Sequence, residues 1–165
     1  MTLDPTVVPG HADPPIAASR PSWLALRARP EYASKARAFA STAVFGYPFD
    51  AYEIALIVSE LVTNAIRAAM ALRAWPDDSY PIGVELLATA RYVHLAVTDP
   101  DHRPMPAPDQ GGLLAEHGRG LTIVDQHAAD RWVTYAEHGK TVHVVIAAPG
   151  VTLTVAELTA RHAPA

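Results

Sequence analysis

The chain has 165 residues, a formal charge of −4 from 13 Lys plus Arg against 17 Asp plus Glu, and an apolar fraction of 50%. That leaves room for one compact domain with a sizeable core and excludes a chain disordered throughout. The charge balance excludes a main task of neutralising nucleic acid or an anionic membrane, and the absence of cysteine excludes disulfide scaffolds, zinc ribbons and thiol chemistry.

Fifteen prolines are unevenly spread, with nine of them in 1–21 and 100–108. Residues 1–21 have no periodicity and few large apolar groups, and are expected to form a disordered arm. They carry neither a basic start nor an apolar run, so no secretory signal is read there. No window is expected to reach the ~20 apolar residues of a membrane span, which places the chain in the cytoplasm.

Trp23–Leu26 reads as a first strand. Pro30 suits the first turn of a helix running to about Val44, since its missing N–H costs nothing there. Asp50 and Glu53 have capping-box spacing before a long helix from Ala51 to about Ala74. Ile54, Ile57, Leu61, Ala65, Ala68 and Leu72 form its apolar stripe, and a second line, Val62, Ile66 and Met70, is expected to pack on the preceding helix.

Strands follow at Ile82–Leu87 and Tyr92–Thr98, the latter alternating apolar and polar positions. Residues 99–117 form a long Pro-rich segment of the kind that serves as a lid or binding loop. A short helix at Arg119–His127 precedes a hairpin of Arg131–Ala136 and Thr141–Ala147, turning at His138-Gly139-Lys140. Thr154 and Glu157 make a capping box for a tail helix, with Leu153 and Leu158 as a staple. This order fits a two-layer α/β sandwich, with a mixed, mostly antiparallel sheet and helices on one face.

Glu60 and Asn64, at i and i+4, share the shoulder of the apolar stripe of the long helix. They either hydrogen-bond to fix the helix on the sheet or form a site wall. Asp99 ends a strand, where it either starts a turn or accepts from the exocyclic amine of a base. Gly118-Arg119-Gly120-Leu121 opens a helix, a phosphate-site pattern that is neither a Walker loop nor a Rossmann fingerprint. The histidines show no metal-ligand spacing.

ELVTNAIRAA at 60–69, VTDPDHRP at 97–104, GRGLTIVDQHAADRW at 118–132 and GKTVHVVI at 139–146 occur in order. Together these segments resemble the boxes of the GHKL, or histidine-kinase-like, ATPase superfamily, and more closely those of stand-alone bacterial anti-sigma-factor serine/threonine kinases. The resemblance implies a Bergerat-type ATP-binding domain over 22–148, between an arm at 1–21 and a tail at 149–165.

It further implies Mg²⁺ and ATP as cofactors, with the Asn64 amide oxygen on the metal and Glu60 as the base that polarises the attacking hydroxyl. Asp99 would read the adenine amine, with Thr141 supporting that contact directly or through water. Gly118, Arg119, Gly120 and Leu121 would close over the phosphates.

Two positions depart from the family pattern. Asp99-Pro100-Asp101-His102-Arg103 replaces D-x-G-x-G, which implies a stiffer lid edge and adds the Asp101 charge near any phosphate. Ala68 stands where a basic residue or His is usual. The expected function is an ATP-binding regulator of a transcription factor acting through a partner switch. Its partners would be an antagonist protein, a sigma factor or both, with no direct nucleic acid or membrane contact, and a homodimer is left open. The alternative is an interaction module on a degenerate ATPase fold without kinase activity.

Overall fold

A computed structural model describes residues 20–105 and 119–162, with the side chains of 119 and 120 not described. Residues 1–19 of the arm expected at 1–21 and most of the Pro-rich loop lie outside the described residues. The elements are β1 (Ser22–Leu26), α1 (Tyr32–Ala43), α2 (Ala51–Leu72), β2 (Ile82–Ala88), β3 (Tyr92–Asp99), α3 (Arg119–His127), β4 (Asp130–Ala136), β5 (Gly139–Ala147) and α4 (Val155–His162).

The five strands form one sheet in the order β1-β2-β3-β5-β4, with every pairing antiparallel. Alternation gives the sheet two faces. Leu26, Val84, Leu86, Val93, Leu95, Val97, Val142, Val144 and Ile146 point to the face covered by α1, α2 and α3. This is a two-layer α/β sandwich of the expected kind.

α2 lies at the centre of the helical layer. Its N-terminus is capped by Asp50, whose carboxylate accepts from Tyr52 N–H at 2.8 Å and Glu53 N–H at 3.4 Å. The reciprocal half of the box is not made, because Glu53 turns instead to His127 in α3. Both apolar lines of α2 are buried as far as Ala65 and Ile66, since the sheet and two flanking helices enclose most of its circumference. Met70 and Leu72, past the end of α1, are exposed at 52% and 39%.

On one flank, fully buried Ala36 and Ala40 let α1 come close, and Arg37 donates to the Ser59 hydroxyl at 3.1 Å. On the other flank sits α3. By length and mean hydropathy α2 could cross a membrane, contrary to the composition-based expectation, but here it packs as the core helix.

Element ends moved for local reasons. α1 starts at Tyr32 because Pro30 belongs to the preceding turn, with Tyr32 N–H bonded to the Arg29 carbonyl. α2 stops at Leu72, where Arg73 is extended and the Trp75 indole N–H donates to the Ala69 carbonyl at 2.8 Å. The β4–β5 turn is only Glu137-His138, so Gly139 and Lys140 already belong to β5.

α4 is closed by the Thr154–Glu157 box, with Glu157 N–H donating to the Thr154 hydroxyl and Thr154 N–H to Glu157. Its C-terminal end meets the opposite face of the sheet. His162 stacks on Trp132 at 4.0 Å and bonds Asp130 at 2.7 Å, and the Arg161 guanidinium lies over Tyr92. Trp132 is also stacked with His143, and His143 is bonded to His94 at 3.2 Å.

Candidate functional site

The sheet register defines the site. Asp99 closes β3 on the inward face, in line with Val93, Leu95 and Val97, and is 4% exposed. Opposite it is Lys140, 7% exposed, whose ammonium donates to Asp99 Oδ1 at 3.1 Å and to the Asp101 carbonyl at 2.7 Å. Asp99 Oδ1 also accepts from the Asp101 N–H at 2.8 Å, so the hydrogen bonds it makes with described residues all end on one oxygen. Burial pushes the Asp99 carboxyl above the usual carboxylate range, against the pull of the Asp101 N–H and the Lys140 ammonium.

Asp101 does not stand as a free negative charge, as had been expected. Arg103 clasps it in a fork at 2.8 and 2.9 Å, and Lys140 lies 3.7 Å away. The Arg103 hydrogen bonds bring its carboxyl down to about 2. Two carboxylates and two cations therefore balance at the end of β3.

Thr141 makes no direct contact with Asp99. The short turn fixes the parity of β5, so Thr141 lies on the outward face, where its hydroxyl bonds the Thr98 hydroxyl at 2.8 Å. The direct contact with Asp99 expected of Thr141 is made by Lys140. Gly139 permits the junction, because a Cβ there would run into the Asp99 carbonyl oxygen and lie 3.2 Å from Pro100 Cα.

Glu60 and Asn64 are half-buried on α2, and neither makes a hydrogen bond or ion pair with another described residue. The reading of the two as a mutual pair fixing the helix therefore fails. Glu53, Glu60 and Asn64, at i, i+7 and i+11, share the edge of α2 that faces α3. His127 Nδ1 at 2.7 Å from Glu53 fastens the end of α3 to the start of that edge.

α2 packs over β3, so the Glu60–Asn64 edge and Asp99 belong to one side of the helical layer, although no bond links them. Gly118 lies outside the described residues. Arg119 and Gly120 begin α3, and Leu121 is half-buried against the core, which leaves its backbone as the group free to meet a ligand. Among the described residues no group of three His, Asp or Glu side chains could hold a metal. Coordination shared with phosphate oxygens and water needs no such cluster, and the Asn64 amide, without a hydrogen-bond partner among the described residues, suits it.

Lys140 is not legible as a site residue in the sequence because the expected turn at His138-Gly139-Lys140 places it outside the strand, whereas the turn is Glu137-His138. Its signal was the Gly-Lys pair directly opposite a strand-ending Asp.

A layer of three helices covers a five-stranded antiparallel sheet whose central strand ends in a buried carboxylate. Residues 26–146 match the histidine kinase-like ATPase domain, and the chain belongs to that family. The crystal structure of the RsbU and RsbW domains of Rv1364c from Mycobacterium tuberculosis has a similar fold, with TM-score 0.50 and 19% identity over 82% of this chain. The chain spans 34% of that structure's length. A search of curated proteins returned no match.

Proposed function

We propose that the protein binds Mg·ATP at the Asp99 end of the sheet and acts as a regulator of the anti-sigma-factor serine/threonine kinase type. The observation carrying this reading is the buried Asp99 carboxylate, poised at the end of β3 inside the family match, with hydrogen bonds from described residues on Oδ1 alone. Its second oxygen can accept from the adenine amine. A carboxylate there favours adenine over guanine, which presents a carbonyl at that position.

Asn64 would hold Mg²⁺ through its amide oxygen, and the backbone at the start of α3, at Arg119, Gly120 and Leu121, would face the phosphates, with Gly118 given the same role by the family pattern. Bound Mg·ATP supplies the transferable phosphoryl group. Glu60, one turn before Asn64, takes the proton of a serine hydroxyl on an antagonist protein. Phosphorylation of that antagonist would switch its partnership with the regulator and so release or sequester a sigma factor. The cytoplasm is the matching compartment.

The experiment is a thermal melt with and without Mg·ATP, on the wild type, Asn64→Ala and Asp99→Ala. The wild type should be stabilised and both variants should lose the shift. No shift at millimolar ATP in the wild type sinks the nucleotide reading. A second reading, an interaction module without phosphoryl transfer, draws on Ala68 and Pro100. It is favoured if partner binding proves indifferent to nucleotide and to Glu60→Ala.

A further inference from the structure

The Lys140–Asp99 pair is a costly arrangement for a strand end. Both side chains are almost fully buried, and a buried ion pair gains stability only when geometry and further hydrogen bonds offset the lost hydration. Lys140 is therefore weak as a stabilising device and needs another account.

Among the described residues, the charged groups that face Asp99 are few. Lys140 comes from β5, and Asp101 and Arg103 from the loop after β3. Arg103 is committed to Asp101 in a bidentate fork and makes no bond to Asp99. Among the described residues, Lys140 is thus the cation in direct contact with the Asp99 carboxylate. Without it, Asp99 would be a buried carboxylate beside the negative charge of Asp101, and both burial and like charge favour its protonated form.

Protonation would change what the site reads. An ionised carboxylate only accepts, so it pairs with an exocyclic amine and repels a carbonyl. A carboxylic acid also donates, and its O–H can satisfy the carbonyl of hypoxanthine or guanine.

We infer that Lys140 is a positioning residue for base specificity, holding Asp99 in its acceptor-only form so that the site takes a purine bearing an exocyclic amine and rejects one bearing a carbonyl there. This inference rests on the nucleotide reading given above. It concerns how the base is discriminated, and the phosphates and metal play no part in it.

The test is calorimetric titration with Mg·ATP and Mg·ITP, nucleotides that differ at the group Asp99 would read. Wild type, Lys140→Met and Lys140→Arg are compared at about pH 6 and about pH 8. The wild type should prefer ATP by about tenfold or more at both pH values. Lys140→Met should lose most of that preference at the lower pH and regain part of it at the higher. Lys140→Arg, which keeps the charge, should resemble the wild type.

A Lys140→Met preference equal to the wild-type one at both pH values overturns the inference. So does an equal, pH-independent weakening of both nucleotides, which marks a purely structural role. Should Lys140→Met fail to fold, carboxyl carbon NMR of the wild type decides: Asp99 ionised throughout that pH range supports the inference, and Asp99 protonated at neutral pH overturns it. A wild type that binds neither nucleotide removes the underlying reading as well, whereas ATP binding with unchanged discrimination in Lys140→Met removes only the role of Lys140.

Discussion

His127 Nδ1 lies 2.7 Å from Oε1 of Glu53, joining the last turn of α3 to the first turn of α2. Glu53 thereby leaves its own capping box incomplete and spends its carboxylate on a contact between elements. Both side chains are 37% exposed, so the pair contributes modestly to global stability, about 0.5–1 kcal/mol. Glu53→Ala should lower the unfolding free energy by that amount and speed amide exchange across Leu121–His127 more than elsewhere. Glu53→Gln, which keeps an acceptor for the imidazole, should restore most of the protection.

Gly139→Ala should be far more damaging than its single added methyl suggests. The new Cβ meets the backbone carbonyl of Asp99, and backbone cannot swing aside as a flexible side chain can. A loss of about 2–4 kcal/mol is expected in denaturant unfolding. Thr141→Val, two residues on, removes only the partly exposed hydroxyl pair with Thr98 and should cost less than about 1 kcal/mol. Equal losses for the two variants would contradict the packing described at the β3–β5 junction.

The His94 imidazole is held down to about 4 by burial first, then by His143, Arg161 and His162. A base with a depressed folded-state value binds its proton more readily when unfolded. Stability is therefore complete above the ordinary value of 6.5 and declines as pH falls through the window from 6.5 to about 4. The loss from this group is at most about 3 kcal/mol across that window. His143, shifted the same way by burial, adds to the slope. Urea midpoints measured from about pH 7 to about pH 4 should show the decline, and His94→Phe, which keeps a ring in the stack, should flatten it without abolishing it.

Glu60→Gln should separate binding from chemistry. The amide preserves shape on the α2 edge but removes the proton acceptor, so phosphoryl transfer to an antagonist serine should fall about 10²–10⁴-fold while ATP affinity stays close to wild type. Asn64→Ala should instead weaken Mg·ATP binding itself. A Glu60→Gln variant that transfers phosphate at the wild-type rate removes Glu60 as the base.

Most of the fold was legible because hydrophobic period is a strong signal. The alternation of Val93, Leu95 and Val97 and the stripe from Ile54 to Ala65 each specify an element and its buried face. Turn position is a weaker signal, since one residue decides it and several sequences tolerate either choice. The hairpin turn falls at Glu137-His138 rather than at His138-Gly139-Lys140, which brings Gly139 and Lys140 into β5 and sets Lys140 opposite Asp99.

Asp99, Glu60 and Asn64 were legible as residue types in a family pattern. That Asp101 would be neutralised by Arg103 was not, because the fork forms within a turn whose backbone path no periodicity predicts.

The ring stack on the outward face carries one more consequence. Trp132 is sandwiched among His94, His143 and His162, the last belonging to α4. A protonated imidazole quenches indole emission more strongly than a neutral one, and separation of the rings relieves it. The fluorescence of this one tryptophan therefore serves as an optical gauge, internal to the chain, of whether the C-terminal helix is seated on the sheet.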